Sequence, residues 1–161
     1  MSNKFFIPTD MGYWSQSIGG LIINFGIIEF STLRWIEVLG GEQEAMEARK
    51  RKLADRIKSA VALIPDSALS SAAKKQAGDL WDEALKLTAI RNRIAHNPLC
   101  ITIDPKNQLA VLSVIDLKTM TPNGQNPIER LDRTKIADIG LRVGEIGRRL
   151  NDLLTSIPNK K

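Results

Sequence analysis

The sequence predicts an all-α protein: a four-helix up-and-down-type bundle with a small β-hairpin inserted before the last helix. Three observations predict it. Apolar residues recur at helical spacing through most of the chain. Gly40-Gly41, Pro65 and Pro98 punctuate that pattern. Only Cys100 to Ile115 alternates with the period of a strand. With 161 residues and no linker or internal repeat, residues 1–161 are expected to share one core.

Residues Gly12 to Leu39 read as a long helix, apolar almost all round, which belongs inside a bundle or at an interface. Gly40-Gly41 ends it. Glu42 to about Ile64 reads as the second helix, acidic at its start and basic later, as the helix dipole favours. Pro65 stops it, and Asp66 or Ser67 can cap a third helix running to about Asn97, with a bend or break near Ser70-Ser71. Pro98 disfavours helical geometry at Asn97. The hairpin follows, about 100–115, with Ile101 and Ile103 facing Leu109, Val111 and others across Asp-Pro-Lys-Asn. After a polar loop from Thr119 to Pro127, Leu131 to Ile157 is a strongly amphipathic helix. Its stripe is Ile136, Ile139, Val143, Ile146, Leu150, Leu153, Leu154 and Ile157. Gly140, Gly144 and Gly147 share one side of it, which points to a close approach by another helix.

The bulk numbers narrow the function. A net charge of +5 favours acidic partners, nucleic acid first. One cysteine and one histidine cannot build a His/Cys zinc cluster, so no metal is expected. There is no phosphate-binding loop or strand-linked GxGxxG, so no cofactor is expected either; a Ser-His-Asp or Cys-His mechanism would have to use His96, and no nucleophile elbow is present. Ile18 to Phe30 is too short to span a bilayer and carries Asn24 and Glu29, so no membrane partner is expected. A single cysteine and a start without a secretory pattern suit a cytoplasmic protein.

Chemistry concentrates in Leu87-Thr-Ala-Ile-Arg91-Asn92-Arg93-Ile94-Ala95-His96-Asn97-Pro98. On a helical wheel Leu80, Leu87, Ile90 and Ile94 form the core stripe. Asp79, Asp82, Lys86 and Arg93 lie opposite and read as solvated. A third strip holds Ala77, Trp81, Leu85, Ala95, Asn92 and His96, with Arg91 between it and the core, long enough to reach the same space. Trp81 and Leu85 beside an arginine and the sole histidine point to a second buried contact, from another helix or another subunit. Glu29 falls among Ile18, Ile22, Leu33 and Ile36 on the first helix. A carboxylate there needs a partner, and Arg91 is the candidate; reaching solvent or meeting another cation is the alternative. The run Arg49, Lys50, Arg51 and Lys52 reads first as a solvated face, with an RNA-backbone track as the functional reading. Arg93 is a further candidate RNA contact.

Arg91-Asn92-x-x-Ala95-His96 at the end of a long helix resembles the R-x4-6-H motif of HEPN domains, whose commonest form begins Arg-Asn. The apolar first helix, with Asn24-Phe25 ahead of Glu29 and then Trp35-Ile36, resembles a HEPN start. The resemblance covers most of the chain; the hairpin is an embellishment on the minimal fold. It implies a metal-independent endoribonuclease, working as a homodimer whose two motifs meet in one cleft. Toxin-antitoxin, phage-defence and RNA-processing systems are its settings, and an antitoxin protein is an implied partner. Arg91 and His96 are then catalytic, with Asn92 shaping the motif.

The residues make chemical sense independently. RNA is cleaved when its own 2′-hydroxyl attacks the adjacent phosphate. That requires a base, an acid and a cation, which histidine and arginine supply. One chain holds one histidine, so a two-histidine mechanism needs two copies. Two other readings remain: a non-catalytic module binding RNA, nucleotide or a partner protein, and a structural helical dimer in which Arg91 and Glu29 form a buried ion pair.

Overall fold

The computed structural model describes residues 11–96, 99–103, 110–115, 128–131 and 133–157. The fold is all-α in its packed body. Five helices build that body rather than the expected four: α1 (Met11–Gly40), α2 (Glu42–Ala48), α3 (Leu53–Leu63), α4 (Ser71–His96) and α5 (Arg133–Thr155). Between α4 and α5 in the sequence run β1 (Leu99–Ile103), β2 (Ala110–Ile115) and β3 (Ile128–Leu131). They form an antiparallel sheet in the order β1-β2-β3. Its register pairs Ile101 with Leu112 and Ile103 with Ala110, not with Val111 as the alternation suggested. β3 was not anticipated, and it moves the start of the last helix from Leu131 to Arg133. The Asp-Pro-Lys-Asn turn, Leu109, the 119–127 loop and Asn97-Pro98 lie outside the described residues.

α1 is the central helix: its 30 residues, about 45 Å long, pack on all four other helices. Its buried face is Trp14, Leu21, Phe25, Ile28, Trp35 and Ile36. Its opposite face is open, with Ile23 70% and Phe30 64% exposed and Ile22 and Ile27 partly so. The all-round apolar pattern is therefore not matched by all-round burial within one chain. Gly41 ends α1 at φ 94°, a left-handed conformation that glycine adopts without a Cβ clash, and its N–H donates to the Glu37 carbonyl at 2.9 Å.

The expected single second helix is broken at Arg49–Lys52, and the reason is phasing. Ala45 and Ala48 are buried in α2, and Leu53, Ile57 and Ala60 in α3. In one continuous helix these two faces would point about 120° apart. The turn at 49–52, with Lys52 extended, re-phases the chain so that both faces meet the core. Arg51 braces the corner, donating to Glu44 at 3.1 Å and to the Ser59 hydroxyl at 2.9 Å. α4 begins at Ser71, where the sequence allowed a break, and the Ser70 hydroxyl accepts from the Ala73 N–H at 3.3 Å.

α5 lies along α1. Its residues Ile136, Ile139, Val143, Ile146, Leu150 and Leu154 are buried. The Asn24 amide donates to the Gly140 carbonyl at 2.9 Å, and the Trp35 indole N–H to the Leu150 carbonyl at 3.1 Å. The three glycines of α5 face α1, and they differ. A Cβ at Gly140 would sit 3.6 Å from Leu21, an ordinary contact, and one at Gly144 would press on Asn24 at 3.4 Å. At Gly147 it would come within 2.7 Å of Ile27 Cγ2, a methyl on a stiff β-branched side chain. Gly140→Ala is therefore expected to stabilise by up to about 1 kcal/mol through helix propensity. Gly147→Ala is expected to destabilise, because overpacking of about 1–3 kcal/mol outweighs that gain. Urea denaturation of both variants reads the opposite signs.

α4 is tied to α5 by Arg142, whose Nε and Nη2 donate to the two Glu83 oxygens at 2.6 and 2.7 Å, while Nη1 donates to Glu145 at 2.7 Å. Hydrogen bonding from Arg142 holds the Glu83 carboxyl below its ordinary value of 4.5. A lowered folded-state pKa means stability that is present above the ordinary value and lost as pH falls through the folded one. The pair is more than a third exposed on the arginine side, so screening keeps it to about 1 kcal/mol or less. Glu83→Gln is expected to be less stable than the parent at pH 7. That gap should close as the pH is taken below 4.5, which urea melts across pH test.

Candidate active site

The C-terminal third of α4 carries the Arg-Asn…His residues, and its burial positions them. Ile94 is buried and anchors the last turn; Leu87 and Ile90 are partly covered. Farther back, Ala77, Leu80, Trp81 and Ala84 are buried, and Trp81 meets Trp35 of α1 edge to face with centroids 5.9 Å apart. The strip of Ala77, Trp81, Leu85, Asn92, Ala95 and His96 is thus not uniform. Its first part faces α1 in the same chain, while Asn92, Ala95 and His96 are exposed. The second contact expected along it is made within the chain by Trp81, while His96 is exposed in the single chain.

Arg91 turns toward α1. Its Nη2 lies 3.4 Å from Glu29 Oε1, and its Nη1 donates to Asn92 Oδ1 at 3.1 Å. Glu29 also meets a second cation, Arg56 of α3, whose Nη2 lies 3.4 Å from Oε2. Both of the readings weighed for Glu29 therefore apply: it pairs with Arg91 and with another cation. The side chains are 34% (Glu29), 24% (Arg91) and 12% (Arg56) exposed, so this is a half-buried cluster at the meeting of α1, α3 and α4.

His96, the last residue of α4, is exposed and makes no hydrogen bond or ion pair among the described residues. It lies five residues, about 140° of helix, beyond Arg91. Among the described residues Arg91 bonds to Glu29 and Asn92, and His96 is exposed with no hydrogen bond to it. Of the two residues whose space Arg91 was expected to reach, Asn92 is bonded to it. Arg93, read as solvated, is half-buried.

The basic run sits elsewhere. Arg49, Lys50, Arg51 and Lys52 occupy the exposed α2–α3 corner, where Lys50 pairs with Glu47 at 2.7 Å and Arg51 with Glu44. They form a turn, not a helix face. Arg56 was not singled out from the sequence. Its signal was there: it lies three residues after Leu53, four before Ala60 and beside Ile57, at the edge of the buried stripe of α3.

Among the described residues no group of three or more His, Cys, Asp or Glu could hold a metal ion, and no helix is long and apolar enough to cross a membrane. A cavity of about 680 Å³ lies between the C-terminal ends of α1, α3 and α5, lined by Arg34, Leu63, Asn151 and Thr155 among others. None of Glu29, Arg56 and Arg91 lines it. No protein family, curated protein or solved structure matches this chain.

Proposed function

We infer that this chain is a metal-independent endoribonuclease of the HEPN type, acting as a homodimer, with Arg91 and His96 as its catalytic residues. The observation that carries the reading is the end of α4. There Arg91 is aimed by Glu29 and Asn92, while the sole histidine stands uncommitted and solvent-facing one turn on. A general acid or base must be free to exchange its proton with substrate, and His96 is. The phosphate-binding group must be held in place, and Arg91 is.

In the proposed reaction a base takes the proton of the RNA 2′-hydroxyl. The 2′-oxygen attacks the adjacent phosphorus, and an acid protonates the departing 5′-oxygen. The products are a 2′,3′-cyclic phosphate and a free 5′-hydroxyl. Arg91 neutralises the charge that builds on the phosphate oxygens. Two copies of His96, one per subunit, supply base and acid. The open α1 stripe of Ile23, Ile27 and Phe30, running up to Glu29, supports self-association next to the site. A dimer would bring two copies of Arg91 and His96 to one cleft, so that both chemistries converge on one phosphate. RNA is then the substrate, and a toxin or phage-defence role with a neutralising antitoxin protein is the biological setting of this reading.

Incubation of mixed cellular RNA with the purified protein in excess EDTA tests it, alongside His96→Ala. Cleavage by wild type alone, leaving cyclic phosphate ends, supports the reading. Cleavage by both, or activity in a protein that sediments strictly as a monomer, counts against it. Cleavage by neither shifts the weight to a binding module.

A further inference from the structure

Arg56 has no part in the motif, yet its side chain is the most buried of the three charged groups around Glu29. Among the described residues one carboxylate there serves two permanently charged guanidinium groups, which leaves these three side chains a formal charge of +1. The hydrogen bonding is unbalanced in the same sense. Each guanidinium carries five N–H donors, and the carboxylate offers about four acceptor positions. The Nε groups of both Arg56 and Arg91 are buried with no acceptor among the described residues, although buried donors are normally satisfied. Both contacts to Glu29 are 3.4 Å, longer than the roughly 2.7–2.9 Å of a strong charge-assisted bond. Among the described residues the cluster is thus rich in donors and positive charge, and it has hydrogen-bonding capacity that Glu29 does not use up.

A tetrahedral oxyanion supplies what the cluster lacks: negative charge and several acceptors matched to the guanidinium fork. We propose that Arg56 and Arg91 form a two-guanidinium phosphate site, with Arg56 as its floor, Arg91 as its more exposed side and Glu29 setting their separation. It deepens the ribonuclease reading, and rests on it only for the source of the phosphate, an RNA backbone. Arg56 is then a positioning and binding residue, placing the phosphate against Arg91, rather than a catalytic one.

The test uses the full chain carrying His96→Ala, so that RNA is bound and not consumed. Inorganic phosphate is titrated at constant ionic strength and its affinity read by the shift in thermal unfolding midpoint. A labelled single-stranded RNA oligonucleotide is titrated separately by fluorescence anisotropy. Arg56→Lys keeps the charge that faces Glu29, and so the fold, but removes the fork. It is expected to weaken inorganic phosphate and RNA alike by about tenfold. Arg56→Gln, checked for folding by circular dichroism, is expected to weaken both further. Glu29→Gln is expected to tighten phosphate. Parental phosphate affinity in folded Arg56→Lys and Arg56→Gln overturns the proposal. Loss of phosphate affinity with parental RNA affinity keeps the phosphate site and overturns RNA as its source. If wild-type protein cleaves no RNA but Arg56→Lys still loses phosphate, the ribonuclease reading falls and the anion site stands.

Discussion

Replacing His96 with alanine is expected to lower RNA cleavage by at least about a hundredfold while leaving the fold and the oligomer unchanged. General acid–base groups contribute about 10²–10⁴ in rate, and this chain has no second histidine to substitute. The stability side of the prediction follows from position. His96 is exposed, ends α4 and holds nothing among the described residues, so its removal should stay within about 0.5 kcal/mol. Arg91→Ala is a less clean experiment. It also frees one side of Glu29 and undoes the contact with Asn92, so lost activity would mix chemistry with local rearrangement. The decisive pairing is a cleavage assay in EDTA with a thermal melt of the same two proteins. Equal cleavage by wild type and His96→Ala would remove His96 from the site. A melt lowered by several degrees would mark it as a structural residue.

Trp35→Ala is expected to destabilise by about 4–5 kcal/mol, at or near the whole stability of many domains this size. Trp35 is fully buried on α1, stacks edge to face on Trp81 of α4, and donates its indole N–H to the Leu150 carbonyl of α5. Truncation opens a cavity, removes an aromatic pair and leaves a buried carbonyl short of a donor, all where three helices meet. A finer comparison checks the cause. Trp81 is equally buried, but its indole N–H has no partner among the described residues. Trp35→Phe should therefore be worse than Trp81→Phe by about 1 kcal/mol, the net value of one hydrogen bond. Urea melts of the two phenylalanine variants measure the difference. Equal losses would mean that packing alone sets the cost.

The helical class, the Gly40-Gly41 stop, the buried face of α5 and the place where Arg91 and His96 sit were legible in the sequence. Each follows from local rules: a 3.6-residue period, a glycine that accepts positive φ, a motif fixed on one helix. The stripe from Ile136 to Leu154 could be read because its members obey one period over about five turns. The three glycines of α5 foretold a close helix contact, but not that Gly147 is tight against Ile27 while Gly140 has room, since that depends on where α1 lies.

What the sequence could not decide are relations between segments. The break at Arg49–Lys52 arises because two short faces must meet one core, a demand visible only once α1 is in place. Arg56 joins the site because α3 crosses α1 beside Glu29; no spacing along the chain links residues 27 apart. Likewise, a wheel of α4 shows which side Arg91 leaves from, but not that a carboxylate awaits it on α1 while His96 makes no hydrogen bond or ion pair among the described residues. Periodicity and punctuation are properties of neighbours in sequence, so composition and order determine them. Ion pairs, orphaned donors and the exposed stripe of α1 are properties of neighbours in space, and only the packing of five helices against one another sets those.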